Sequence, residues 1–236
     1  LTLLMYDQAA NQPLRDVTLK AVDRIFENME DNGRIHWLDF ELQPFESKKG
    51  ELWGNSMAVL AIEMAQKNSH YRAPSAEYNK LKQYLVSQQA HLKPNEMSVL
   101  LWAESLSAAQ PAILDRNQQM HFISEIKRTQ NADGSWNQSA VLGHGAARSD
   151  TYSTAISLIG LIKAGHGTSV QAHKAAQWLV EKQITDNVLQ MGSDHSLWLS
   201  NSMNSPNRLL NNRFASDFAT SYASLALQMY RSDVLH

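Results

Sequence analysis

The feature that most constrains the fold is an alternation between two kinds of helical segment, repeated four times along the chain. In one kind, apolar residues recur on a single face, as in a helix that covers a core; in the other they occur nearly all round, as in an enclosed helix. The amphipathic segments are 13–29, 75–89, 113–129 and 170–183. The apolar segments are 51–67, 95–109, 149–164 and 216–230. This alternation predicts an all-α protein in which outer helices shield inner helices around a common axis.

Composition narrows the class of protein. The 236 residues are 43% apolar and 19% charged, which suits one domain spanning residues 1–236. A formal net charge of −2 without a run of lysine or arginine argues against a nucleic-acid partner, since such binding needs clustered positive charge. Without cysteine, thiolate metal sites and cysteine nucleophiles are excluded. The longest apolar runs, such as 155–162, are far shorter than the roughly 20 residues of a membrane helix, so we expect a soluble chain with no transmembrane segment.

A glycine turn followed by tryptophan ends one of the amphipathic helices, at residues 130–136. Glycine accepts the left-handed backbone that ends many helices, and Trp136 can pack back onto apolar surface. A longer version of this turn spans 192–198. Two inner segments also open alike, with Ser-Asp pairs that end at Asp150 and Asp217. These matches predict a structural repeat, in which the turn connects successive helix pairs.

The 130–136 motif, a glutamine at a helix end followed by Gly-x-Trp, resembles the repeat of the prenyltransferase and squalene-cyclase superfamily. The resemblance implies an α/α toroid of concentric inner and outer helices. The whole chain is similar to a bacterial branch of squalene-cyclase-like proteins, often exported or fused to other modules, through segments 43–54, 95–106 and 213–222. This implies an exported or periplasmic protein. Four helix pairs are fewer than a closed toroid has, so we expect an incomplete ring or a longer protein whose N-terminal part lies outside this sequence.

The catalytic signatures of that superfamily are not found in this chain. Class II terpene cyclases protonate their substrate through an Asp-x-Asp-Asp motif, and no Asp-x-Asp occurs here. Protein prenyltransferase β-subunits bind zinc partly through cysteine, which this chain lacks. The nine histidines are scattered and form no evident metal set. The sequence therefore predicts no metal site and no cofactor.

Candidate site residues lie in the loops that leave outer helices and enter inner ones, because such loops converge at one mouth of a toroid. The main group is His144, Arg148, Asp150 and Tyr152. His144 is a candidate general base, Arg148 a candidate anion-binding group, and Asp150 a carboxylate able to orient either. Asp150 has a second explanation, because a carboxylate at a helix start is stabilised by about 0.3–1 kcal/mol without any role in catalysis.

Asp217, with Arg213 before it, repeats this arrangement at the last inner segment. Two interpretations stay open. In the first, Asp150 and Asp217 face each other across a central cavity, where the two carboxylates share a proton or hold a cation. In the second, both aspartates only stabilise helix starts.

The tryptophans divide by position. Trp37 and Trp53, in or beside the long first connection, are the candidates to line a pocket, and Glu46 lies in the same connection. Asn201 belongs to an amide-rich loop that suits either a polar ligand or simple turn formation. The other tryptophans are expected in the core (Trp102 and Trp178) or in the turn motif (Trp136 and Trp198).

Two classes of function stay open. The first, narrowly preferred because the usual catalytic acid is missing, is a binding or scaffold module that holds a hydrophobic small molecule, a glycan or a protein segment at the toroid mouth. The second is an enzyme, either a noncanonical terpenoid or lipid cyclase or a carbohydrate-active enzyme. Aromatic residues around a carboxyl of raised pKa would favour the cyclase, and tryptophan platforms with arginine and histidine would favour the carbohydrate-active enzyme. A packed centre without a cavity would leave only the scaffold.

Overall fold

The computed structural model describes residues 1–40, 48–107, 112–137, 149–184, 198 and 208–234, with the backbone alone described at 49 and 208–215. This part of the chain is mostly helical, so the all-α prediction is confirmed. Its α-helices are α1 (Thr2–Ala9), α2 (Asp16–Glu27), α3 (Glu51–Asn68), α4 (Ser75–Ser87), α5 (Pro94–Leu106), α6 (Arg116–Arg128), α7 (Thr151–Lys163), α8 (Val170–Glu181) and α9 (Arg208–Val234). None of them is long and apolar enough to cross a membrane.

The structure differs from the sequence prediction in three respects. Helix α9 begins at Arg208 rather than at residue 216, so the predicted helix start at Ser216 is wrong. Asparagine in this region favoured a turn, but its cost in a helix is only about 0.7 kcal/mol, and extending an existing helix is cooperative. Residues 1–6, which the sequence predicts as part of a buried helix, contribute to α1, in which only Leu4 and Asp7 are buried. Two strands of two residues, β1 (Trp136–Asn137) and β2 (Ser149–Asp150), pair antiparallel just before α7.

The helices form two layers. Helices α3, α5, α7 and α9 pack side by side in chain order, while α2 and α4 lie on α3, α6 lies on α5, and α8 lies on α7 and α9. Burial follows the same division, since twelve of the thirteen residues of α7 are buried but only two of the thirteen in α6. We therefore refer to α3, α5, α7 and α9 as inner helices. This division matches the predicted alternation of inner and outer segments.

Neighbouring inner helices run in the same direction, because an outer helix returns the chain between them. Near the starts of α5 and α7, Asn95 Nδ2 donates to Ser153 Oγ at 3.1 Å. Further along the same two helices, Gly160 lies against Ser98, whose Cα would be only 2.7 Å from a Cβ at position 160. The N-terminal ends of these inner helices therefore lie at the same end of the protein.

Three turns contact inner helices through the same hydrogen bond, in which a backbone N–H donates to a side-chain oxygen of the inner helix. The pairs are Ile35 with Asn55 Oδ1 (2.9 Å), Trp136 with Thr154 Oγ1 (3.0 Å) and Trp198 with Thr220 Oγ1 (3.1 Å). The two tryptophans also donate Nε1–H to a carbonyl of the preceding outer helix, at Ile126 (2.8 Å) and Leu179 (2.7 Å). Asn55, Thr154 and Thr220 therefore occupy equivalent positions in a repeat.

This equivalence corrects the register of the sequence comparison. Asp150 lies four residues before Thr154, so its counterpart in α9 is Ser216 and not Asp217. Burial agrees, because Asp150 and Ser216 are 4% and 0% exposed whereas Asp217 is exposed. The repeated Ser-Asp letters suggested a match that is one residue out of register.

The turn at 130–136 joins two helix pairs. Gln130 Nε2 donates to Gly134 O at 2.9 Å and to Gln171 O, on α8, at 2.8 Å. Trp178, also on α8, donates from Nε1 to Asp133 at 3.1 Å. The turn after α6 is therefore anchored to the next outer helix, as expected for a connection between successive pairs.

Candidate functional site

Aromatic residues occupy equivalent positions on three inner helices, in the first turns of α3 and α7 and ten residues into α9. Two residues before the shared hydrogen-bond acceptor lie Trp53 on α3, Tyr152 on α7 and Phe218 on α9. These side chains meet: Trp53 Nε1 donates to Tyr152 Oη at 2.7 Å, and the rings of Tyr152 and Phe218 are 4.9 Å apart between centroids. The structural repeat thus brings one aromatic ring from each of three helices to a common point.

Two more rings of the described residues belong to this group. Trp37 packs edge-on against Trp53 with centroids 5.6 Å apart, and Tyr222 packs edge-on against Tyr152 at 5.0 Å. Gly54 permits the first contact, because a Cβ at that position would lie 2.2 Å from the Trp37 ring. We call this group the helix-start cluster, because it is centred on the first turns of α3 and α7. Its members are Trp37, Trp53, Tyr152, Phe218 and Tyr222.

The helix-start cluster has a buried part and an accessible part. Tyr152 and Tyr222 are 1% and 7% exposed, whereas Trp37, Trp53 and Phe218 are partly exposed. The remaining tryptophans are all buried, which confirms the core and turn predictions for Trp102, Trp136, Trp178 and Trp198. Trp37 and Trp53 are therefore the tryptophans whose rings stay partly exposed. That they line a ligand pocket stays a prediction.

The two buried tyrosines stay protonated near neutral pH. Burial raises the pKa of Tyr152 well above its ordinary value, and the charges of Tyr222, Glu96 and Asp150 add to this, while donation from Trp53 opposes it. Burial likewise raises the pKa of Tyr222. Tyr152 therefore serves the cluster as a neutral hydrogen-bonding group rather than as a nucleophile.

Glu96, in the first turn of α5, was not singled out from the sequence. Its Oε2 accepts the backbone N–H of Lys93 at 3.0 Å, and it forms no ion pair within the part of the chain that the structure describes. Burial raises the pKa of this carboxyl, while backbone hydrogen bonds and the charge of Lys93 lower it. The charge of Glu96 in turn acts on Tyr152. Pro94 followed by glutamate two residues later signals a helix start, but such a glutamate is usually only a cap.

The two candidate aspartates have different environments. Asp150 is the N-cap of α7, and its Oδ2 accepts the backbone N–H of Ser153 at 2.8 Å. Asp217 is exposed and lies inside α9, nine residues after that helix begins at Arg208. The geometry supports the capping interpretation for Asp150 and gives Asp217 no place at a helix start.

The other predicted site residues fall where the structure gives no side-chain contacts. Glu46, His144, Arg148 and Asn201 lie outside the described residues, and Arg213 lies in α9 where only the backbone is described. Among the described residues, no group of three histidines or carboxylates is placed to hold a metal ion.

Together these features define a two-layered all-α protein with a partly accessible aromatic cluster where α3, α7 and α9 come together. Compared with known proteins, the chain matches no family model and no curated protein.

Replacing Asp150 with alanine is expected to lower the free energy of unfolding by about 1–2 kcal/mol, because the first turn of α7 loses its cap. Asp150→Asn keeps a capping oxygen and should stay close to the parent protein. Asp217→Ala is the matched control, since exposed changes usually stay within about 0.5 kcal/mol. Urea unfolding followed by circular dichroism measures all three. A loss for Asp217→Ala equal to that for Asp150→Ala would contradict the capping assignment.

Proposed function

We propose that this protein is a binding module of the α/α-toroid class, which holds a ligand with a substantial apolar surface against the helix-start cluster. One observation carries the proposal: equivalent positions on three inner helices each present an aromatic ring, and these rings converge while Trp53 and Phe218 keep access to solvent.

The size of the accessible rings is sufficient for ligand binding. Aromatic side chains bury about 150–250 Å² each when fully covered. Covering a further 100 Å² or so of ring surface contributes about 2.5 kcal/mol at roughly 25 cal/mol per Å². Trp37, packed over Gly54, extends this surface beyond the helix ends. Because the inner rings are held by hydrogen bonds and ring contacts, the ligand meets a preorganised surface.

The toroid class is supported by contacts across the inner layer. Trp53 on α3 bonds to Tyr152 on α7, although α5 packs between α3 and α7 in chain order. A flat row of helices holds such positions apart, so this contact favours a curved inner layer. The same curvature is what the resemblance to squalene-cyclase-like proteins implies.

The test uses N-phenyl-1-naphthylamine, a neutral apolar dye whose fluorescence rises in apolar sites. We expect saturable binding to the parent protein. For Phe218→Leu, which removes a ring from the cluster, we expect a dissociation constant about five- to tenfold larger. Tyr230→Leu is the matched control, because Tyr230 is a partly buried ring on the same helix, about 18 Å away at 1.5 Å per residue. Equal binding by the parent and both variants would overturn the proposal.

A second candidate function, a noncanonical cyclase, is favoured by Glu96. Burial raises the pKa of this carboxyl beside an aromatic surface, which suits a proton donor to an apolar substrate. In this function Glu96 protonates a carbon–carbon double bond of the substrate and becomes a carboxylate. We then expect Glu96→Gln to abolish turnover of a polyprenyl substrate while dye binding persists. The carbohydrate-active alternative depends on His144 and Arg148, which lie outside the described residues.

A further inference from the structure

We infer that the ligand carries a positively charged group, which lies beside Glu96 while its apolar part covers the helix-start cluster. The inference rests on the proposed function and names the chemical class of its ligand, an apolar molecule with one ammonium group.

The first argument is that α5 breaks the aromatic pattern of the other inner helices. Where α3, α7 and α9 present rings, the first turn of α5 carries Asn95 and Glu96. Asn95 is 4% exposed and donates to Ser153, the residue after Tyr152, which brings the start of α5 next to the cluster. The aromatic surface therefore has one polar side, and that side carries a carboxylate.

The second argument is that Glu96 differs from the other carboxylates at the described starts of inner helices. Glu51 accepts a hydrogen bond from Tyr84 Oη at 2.8 Å and pairs with Arg34 at 3.3 Å. Asp150 caps α7. Glu96 is partly accessible and forms no ion pair with the described residues, although the charge of Lys93 acts on it from a longer distance.

The third argument is the electrostatic preference of such a surface. Aromatic ring faces carry negative potential and attract cations, tryptophan most strongly. A carboxylate that has lost part of its hydration gains from a cationic partner and repels an anion. An ammonium group at this point therefore interacts favourably with both the rings and the carboxylate. We expect about a tenfold preference over an uncharged ligand of the same length.

The probes are octyltrimethylammonium, octan-1-ol and octanoate, which share one alkyl chain and differ in charge. Calorimetric titration below the concentration of micelle formation gives the three dissociation constants for the full chain. We expect octyltrimethylammonium to bind about tenfold more tightly than octan-1-ol, and octanoate to bind most weakly.

The variant Glu96→Gln removes the charge and keeps an oxygen able to cap the helix, because glutamine also serves at the third helical position. It should lose most of the preference for octyltrimethylammonium over octan-1-ol and keep only the part that the aromatic rings contribute. Glu77→Gln is the matched control, since Glu77 holds the third position of the outer helix α4 and is also partly exposed. This control should keep the full preference for the cation.

The outcomes separate the two proposals. If all three probes bind alike and Phe218→Leu weakens them equally, the apolar site stands and the cationic ligand class is overturned. If none of the probes binds, the proposed function is overturned with it. A preference for the cation that is undiminished in Glu96→Gln also overturns the inference, because the Glu96 carboxylate then contributes nothing to it.

Discussion

Replacing Lys82 with methionine is expected to lower the free energy of unfolding by about 3–5 kcal/mol, because it leaves the buried Glu63 and the partly buried Glu104 without their cation. Lys82, on α4, is 7% exposed, and Glu63, on α3, is 2% exposed. Burial lowers the pKa of Lys82, while the charges of Glu63 and Glu104 raise it. These opposing effects place the three groups in one electrostatic network between α3, α4 and α5.

The surroundings of this network explain why the loss is large. Tyr78 Oη donates to Glu63 at 2.5 Å, and the Lys82 ammonium lies 4.8 Å from the centre of the Tyr78 ring. Glu104 accepts the backbone N–H groups of Ile113 and Leu114 at 2.9 and 3.0 Å, so it also holds the chain that leads into α6. Removing the Lys82 ammonium therefore affects three things together: the contact with the Tyr78 ring, the charge balance of Glu63 and Glu104, and the segment that leads into α6.

The control for Lys82→Met is Lys80→Met, an exposed position on the same helix. Urea unfolding should show a change within about 0.5 kcal/mol for this control. Adding Glu63→Gln to Lys82→Met should recover part of the loss, because one uncompensated charge disappears. Equal stability of the two lysine variants would show that the carboxylates do not depend on Lys82.

Replacing Gly134 with alanine is expected to cost about 3 kcal/mol or more, since a strained backbone and a steric overlap each contribute about 1–3 kcal/mol. Gly134 has φ of +93°, and an added Cβ would lie 2.6 Å from the carbonyl oxygen of Lys174 on α8. Backbone atoms of a packed helix cannot move aside as a flexible side chain does. The turn would have to separate from α8.

Gly165→Ala separates these two causes. Gly165 also has a left-handed backbone, with φ of +77°, but an added Cβ there meets nothing within 4 Å. We expect it to lose only the backbone contribution, about 1–2 kcal/mol. Thermal or urea unfolding of both variants provides the comparison. An equal loss at both positions would mean that the approach of the turn to α8 contributes nothing.

A second copy of this turn was hidden from sequence comparison. Gly33 has φ of +89° and lies against the backbone of Lys80, as Gly134 lies against Lys174. Both glycines donate to the carbonyl three residues earlier, at 2.9 and 3.0 Å. Position 35 holds isoleucine where position 136 holds tryptophan. The Gly-x-Trp letters are thus lost while the backbone geometry is retained.

Helix type and position were predictable because apolar periodicity depends only on local order along the chain. The segments that became α3 to α8 were assigned correctly to within about three residues, and their inner or outer character followed from whether one face or all faces were apolar. Trp37, Trp53 and Tyr152 were also named as candidates. Phe218 was not, because a phenylalanine in an apolar helix is indistinguishable by sequence from an ordinary core residue.

The turn opened by Gln130 and closed by Trp136 shows where sequence information ends. Its residues determined a helix end, a left-handed glycine and a buried indole, since each is a local consequence of side-chain chemistry. The tertiary structure alone decided that Thr154 and Thr220 are equivalent. It also decided that aromatic rings from α3, α7 and α9 meet beside Glu96 at the start of α5. Those relations depend on the register and direction in which inner helices pack, and no single segment of the chain encodes them.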